Sequence, residues 1–310
     1  MTALSTLFPV FFMIGSGVFA RIKGWITPQQ KEGANHIIFN ILFPIMIFNV
    51  LFTANISVSV IWIVLYVFIA FVLTMVLGKL LSQFTGAKMA HISPYLLTTT
   101  EGGNVALPLY TSIVGLSYAS NTIIFDIAGS LMAFVVMPIM VAKETSGKTS
   151  FKELLKTMCT NSFLIAVTLG LILNLIGGYT FLQTTPFIDI YTNTINQATG
   201  PIVGMILLII GFNLKIQKEA LPSLIKLLCV RFVLFAGIIA GFFILFPSMM
   251  ADQIYMIAVL IYFMSPTGFA VPMIISPLNK TEEDEDFQSA FISLYMVITL
   301  IVYALIVVLI

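Results

Sequence analysis

Two short runs place a carboxylate, an amide, hydroxyls, glycines and prolines inside segments that are otherwise apolar. The first is Glu101-Gly102-Gly103-Asn104-Val105-Ala106-Leu107-Pro108 and the second is Ser265-Pro266-Thr267-Gly268-Phe269-Ala270-Val271-Pro272. Both contain Ala-x-Pro, as Ala106/Pro108 and Ala270/Pro272. In a helix interior Gly costs about 1 and Pro about 3 kcal/mol relative to Ala. Gly102, Pro108, Pro266 and Pro272 are therefore read as helix-breaking residues. The exposed backbone suits binding: freed N–H groups at a half-helix start fit an anion, and freed C=O groups at the other end fit Na+ or a protonated group. Thr100, Gly103, Asn104, Ser265, Thr267 and Gly268 are the expected substrate-binding positions. Asn104 has both donors and acceptors and could either bridge substrate to backbone or cap the freed helix. Pro108 and Pro272 fit the first turn of the outgoing half-helices, and Pro266 could do the same after Ser265.

Three charges share these apolar surroundings: Glu101, Asp126 and Arg231. A charge at mid-membrane costs roughly 2.5–3.5 kcal/mol on insertion scales and marks function by default. The three are candidates for ion coupling. Glu101 could be protonated in transit, bind Na+ or be held by Arg231; a structural Arg–carboxylate pair closing the bundle is the alternative. Thr98, Thr99 and Thr100 could line the site, but at least two of the three are expected to bond their own helix backbone.

The elements that must position these groups follow from composition. The chain has 310 residues, 59% hydrophobic and 9% charged, against about 25% charged in ordinary globular proteins. Ten stretches reach the roughly 20 apolar residues that cross a bilayer: about 4–20, 35–53, 57–81, 92–116, 120–142, 161–178, 190–213, 222–246, 252–278 and 287–310. The expected fold is an all-α polytopic integral membrane protein. Met1 to Ala20 lacks the basic start of a signal peptide and reads as the first span. Lys and Arg fall at the connections after the odd spans, from Arg21 and Lys23 to Lys280, and are missing from those after the even spans. By the positive-inside rule both termini face outward from the cell membrane. The basic stretch 143–160 separates a first five-span repeat (1–142) from a second (161–310), which must be inverted. The breaks fall in the fourth and ninth spans, the fourth of each half, and Pro44 and Pro201 lie in the second of each half.

Other features read as structural. Cys159 and Cys229 have no metal or disulfide spacing and read as apolar packing residues. Asn35, Asn40, Asn49, Asn193 and Asn196 read as interhelical hydrogen-bonding groups. Trp25, Trp62 and scattered tyrosines are expected near the membrane interfaces. The acidic run 282–286 reads as a solvated loop before the tenth span, its last acids favouring the helix start. His36 and His91 do not read as ligands. No cofactor, metal site or nucleic-acid partner is expected, only a lipid bilayer, a small anionic substrate and a transported or coupling Na+ or H+; a homodimer is compatible. Without a nucleophile–base arrangement or an ATP-binding GxxxxGK[ST] motif, neither an enzyme nor a primary pump is expected. An uncoupled channel is the alternative to a transporter.

At Gly103-Asn104 with Pro108, and at Gly268 with Pro272, the chain resembles the auxin efflux carrier family, which includes bacterial permeases for malate and malonate. More remotely it resembles the bile-acid:sodium symporters. The likeness covers essentially the whole length, but the second break reads Ser-Pro-Thr-Gly where plant carriers have Asn-Pro. The resemblance implies a scaffold of spans 1, 2, 6 and 7, a moving part of spans 3–5 and 8–10, and elevator-type transport of a small organic anion coupled to H+ or Na+.

Overall fold

The computed structural model describes residues 3–53, 58–145, 160, 162–213 and 221–309. Among them there is no strand. Six helices are long and apolar enough to cross a membrane: Pro28–Thr53, Val60–Phe84, Ser120–Thr145, Ile188–Phe212, Pro222–Leu245 and Glu282–Leu309. Phe8–Ile22, Ile165–Leu175 and Gln253–Phe263 are shorter apolar helices. The stretch 92–116 is interrupted, as its glycines imply: a single turn, Ser93–Leu96, gives way to irregular backbone before helix resumes at Gly102. Cys159 and most of the basic connector lie outside the described residues.

The chain divides into two compact units, each assembled from distant segments. One comprises Met1–Leu7, Trp62–Phe151 and Leu214–Ile310; the other comprises Phe8–Ile61 and Lys152–Asn213.

The second unit is closed by glycines. A Cβ on Gly17 would collide with the backbone of Leu208 and Phe212, and one on Gly211 would collide with that of Ile14. The helices Ala3–Ile22 and Ile202–Asn213 thus approach backbone to backbone, the contact small residues permit where apolar burial supplies no drive. The Arg21 guanidinium donates to the Phe212 carbonyl at 2.8 Å at the end of this contact. Gly24, at φ 66°, turns the chain, and Thr27 and Gln30 form a reciprocal capping box that starts Pro28–Ile37. Asn49 accepts from Tyr191 Oη at 2.8 Å, and Asn174 donates to Phe52 O at 2.9 Å. Of the five asparagines expected to join helices, Asn49 does so; Asn40 instead meets His36 one turn back on its own helix, at 3.1 Å.

Three π turns answer three prolines. Ile38–Leu42 precedes Pro44, Gly102–Ala106 precedes Pro108, and Met132–Val136 precedes Pro138. Proline removes one N–H and presses its ring on the carbonyl four residues back. A single wide turn absorbs both effects without ending the helix.

In the first unit, aromatic rings fill the core. Phe125 meets Tyr262 at 5.3 Å and Phe242 at 5.5 Å, and Phe242 meets Phe263 at 5.4 Å, all edge-on or tilted. Tyr95, Tyr110, Tyr262, Tyr295 and Tyr303 are essentially fully buried. Each is in a helix whose apolar neighbours carry the phenol inward. Cys229 is exposed on Leu221–Leu245, not packed inside. The acidic run is not a loop: Glu282, Glu283, Asp284 and Glu285 form the first turn of Glu282–Leu309, where carboxylates meet the positive helix end. Asp284 is 2% exposed and accepts from the N–H groups of Lys280 and Thr281 at 2.7 and 3.2 Å. His91 lies 3.3 Å from the same carboxylate.

Candidate functional site

All the candidate residues fall in the first unit, where the two breaks meet. Two segments of irregular backbone, 97–101 and 264–270, bond to each other. Glu101 N–H donates to Pro266 O at 2.7 Å. Thr267 Oγ1 donates to Leu96 O, and Phe269 N–H donates to Glu101 Oε2. Irregular backbone at membrane depth must find such partners, because no water is there to replace them.

Each break leaves carbonyl oxygens behind it and N–H groups ahead of it. The carbonyl side is met by Arg231, from the middle of Leu221–Leu245. Its guanidinium donates to Leu96 O at 3.1 Å, Thr99 O at 2.8 Å and Ser265 O at 3.1 Å. Leu96 ends one helix, Thr99 follows it, and Ser265 follows the end of Gln253–Phe263. One cation therefore sits at the negative ends of both incoming half-helices, where positive charge is favoured. Arg231 is 0% exposed, and the faces of Phe235 and Tyr295 cover it at 4.0 and 4.8 Å. No carboxylate is bonded to it among the described residues, so the Arg231–Glu101 pair considered from sequence does not form. Thr299 Oγ1 completes the carbonyl side by donating to Met264 O at 2.7 Å.

The N–H side is met by Glu101. It is the N-cap of the half-helix that starts at Gly102, and its Oε1 accepts from Asn104 N–H at 3.1 Å and from Asn104 Nδ2. Its Oε2 takes the Phe269 N–H, two residues before the short helix Val271–Ile275. The cap is thus Glu101, and Asn104 supports it as a donor. The carboxylate, 7% exposed, bridges the starts of both outgoing segments.

Asp126, on Ser120–Leu131, stands against the first residue of this half-helix. A Cβ on Gly102 would collide with the Asp126 carboxylate, so the position accepts only glycine without displacement. Tyr262 Oη donates to Asp126 Oδ1 at 3.1 Å. Gly129, one turn along, leaves room for the same phenol, which a Cβ there would meet at 2.9 Å.

The remaining candidates divide. Ser265 Oγ returns to Ile261 O of its own helix at 2.7 Å, as Thr98 Oγ1 does to Pro94 O. Thr99 and Thr100 are buried with hydroxyls that have no partner among the described residues. Gly103 is buried, whereas Asn104, Asp126 and Gly268 keep partial exposure. Pro272 lies in the first turn of its short helix. Pro108 is the second residue of Leu107–Val114, which continues the π turn from Gly102, so the break precedes it by a full turn. Pro266 does not start a helix; it lies in the irregular stretch and contributes its carbonyl. Sequence reasoning missed Tyr262, Phe235, Tyr295 and Thr299. The available signal was a polar or aromatic group within one or two turns of a break or a buried charge.

The arrangement separates charge by helix polarity: a cation behind the breaks, a carboxylate ahead of them and a second carboxylate alongside. No group of three or more His, Cys, Asp or Glu residues that could hold a metal occurs among the described residues. A family model described as a membrane transport protein matches residues 2–310. No curated protein matches the chain.

Proposed function

Starting from the auxin efflux carrier family of membrane transport proteins, to which this chain belongs, we propose that it is a secondary active transporter of a small organic anion. The substrate class is a mono- or dicarboxylate such as malate, malonate or an auxin-like acid, carried across the cell membrane with H+ or Na+. The observation that carries this reading is the Glu101 carboxylate held by N–H groups from both breaks. A place that accepts one carboxylate has the donors to accept another. Asn104 and the outgoing half-helix starts are the proposed substrate contacts, with Thr100, Gly103, Ser265, Thr267 and Gly268 around them. Glu101 and Asp126 are the proposed coupling groups, and Arg231 holds the frame.

The proposed topology is two inverted five-helix repeats with both termini outside. Elevator-type movement is supported by the division into two units, one of which contains every candidate residue. In this reading spans 3–5 and 8–10 carry the substrate and spans 1, 2, 6 and 7 form the scaffold, with a homodimer as the assembly.

Counterflow in proteoliposomes tests the function. Liposomes preloaded with a carboxylate should accumulate the labelled anion saturably, and a proton or Na+ gradient should drive net uptake. Electrical flux without counterflow would replace the transporter by a channel.

A further inference from the structure

The Glu101 carboxylate is more than a cap, because it joins two separate segments. Its two oxygens take three donors, two from Asn104 and one from Phe269. The two residues before it in the chain, Thr99 and Thr100, carry buried hydroxyls without partners among the described residues. Thr99 Oγ1 faces the second break: a Cβ on Gly268 would stand 3.3 Å from it. An unmade hydrogen bond in a buried place costs about 1–3 kcal/mol, so a polar group of the substrate would be favoured beside these hydroxyls. The donors of Asn104 and Phe269 converge on one place, and Glu101 fills it.

Resting on the anion-transport reading, we propose that Glu101 is an internal competitor of the substrate: the substrate's carboxylate takes the donors of Asn104 and Phe269 only after Glu101 gives them up on gaining a proton. A protonated carboxyl turns one oxygen into a donor. The protonated oxygen is the weaker acceptor, so its bond to Asn104 or to Phe269 weakens and that segment becomes available to the incoming anion. For a monocarboxylate, proton and anion then bind together with no change in net charge at the site; a dicarboxylate dianion adds one negative charge. The charged and titratable groups around Glu101 are Asp126 on Ser120–Leu131, Tyr262 on Gln253–Phe263, Arg231 on Leu221–Leu245 and, over Arg231, Tyr295 on Glu282–Leu309. Arg231 is engaged by carbonyl groups and Asp126 by the Tyr262 phenol. Arg231 spans the two breaks on their carbonyl side, and Glu101 is the carboxylate held by N–H groups from both.

Linkage is reciprocal: protonation favours the anion, and the anion favours protonation. The test uses purified protein with acetate, malonate, malate and indole-3-acetate as probes, measuring equilibrium binding between about pH 5 and 8. At least one probe should bind more tightly as pH falls, by up to about tenfold per unit for one linked proton. Adding that anion to weakly buffered protein should draw about one proton from solution per anion bound. Glu101→Gln should bind the anion with no dependence on pH and take up no proton. The wild-type measurements stand even where this variant fails to fold. Binding without pH dependence or proton uptake in the wild type overturns the inference and leaves carboxylate transport in place. A pH dependence kept in Glu101→Gln but lost in Asp126→Asn also overturns it. No binding of any probe overturns the transport reading and the inference together.

Discussion

Arg231 carries a full charge at a place with no exposure, and three backbone carbonyl oxygens from two breaks share it. Burying a guanidinium is costly unless its donors are used; here the two Nη groups meet carbonyls that would themselves be unsatisfied, while Nε has no hydrogen-bond partner among the described residues. The planar fork suits the task, since the three oxygens approach in different directions. A lysine ammonium is a compact point charge with three donors and cannot reproduce that reach. Arg231→Met should leave carbonyl groups at both breaks unpaired, at about 1–3 kcal/mol each, and Arg231→Lys should recover part of the loss. Thermal unfolding in detergent would order the three proteins wild type, Lys, Met. A Met variant as stable as wild type would remove Arg231 from the frame.

The helices show how local rules are bent by neighbours. Gly15 and Gly17 lie on one helix, yet Gly15 has open space around its missing Cβ and Gly17 has the backbone of Leu208 and Phe212. Replacing Gly15 by Ala should be neutral or stabilising by up to about 1 kcal/mol, the helix-propensity difference. Replacing Gly17 by Ala should cost about 1–3 kcal/mol through overpacking. The contrast is read from melting temperatures of the two variants. Sequence alone treats the two glycines alike, because the distinction depends on which face another helix crosses. The prolines are different: Pro44, Pro108 and Pro138 announce disturbed helices in the sequence, and a π turn precedes each. Pro9 lies inside the unbroken helix Ala3–Ile22, so the ring marks where a helix can be disturbed and not whether it is.

At the scale of the whole molecule, the charge pattern and the apolar stretches set the expected crossings. Lys143, after the fifth span, should face the cytoplasm, and Ser117, after the fourth, the outside. With Cys159 and Cys229 replaced by alanine, Lys143→Cys should react with an impermeant thiol reagent only when the inner face is open to it. Ser117→Cys should react from the outer face of intact cells. The reverse pattern would invert the orientation drawn from the lysines.

Length, composition and the period of apolar residues identify membrane helices because a bilayer demands the same of every span. Breaks are equally legible, since Gly and Pro act on their own backbone. The partners of the buried charges were not legible. Glu101 and Arg231 invite pairing with each other by sign, yet each serves backbone groups of opposite helix polarity. That choice rests on where four segments bring their unpaired N–H and C=O groups. It is a property of packing and not of any residue's chemistry. The sequence by itself determined that this is a membrane protein with two interrupted helices and charges near them. Only the tertiary structure decided that one carboxylate closes the starts of two segments and one guanidinium closes the ends of two others.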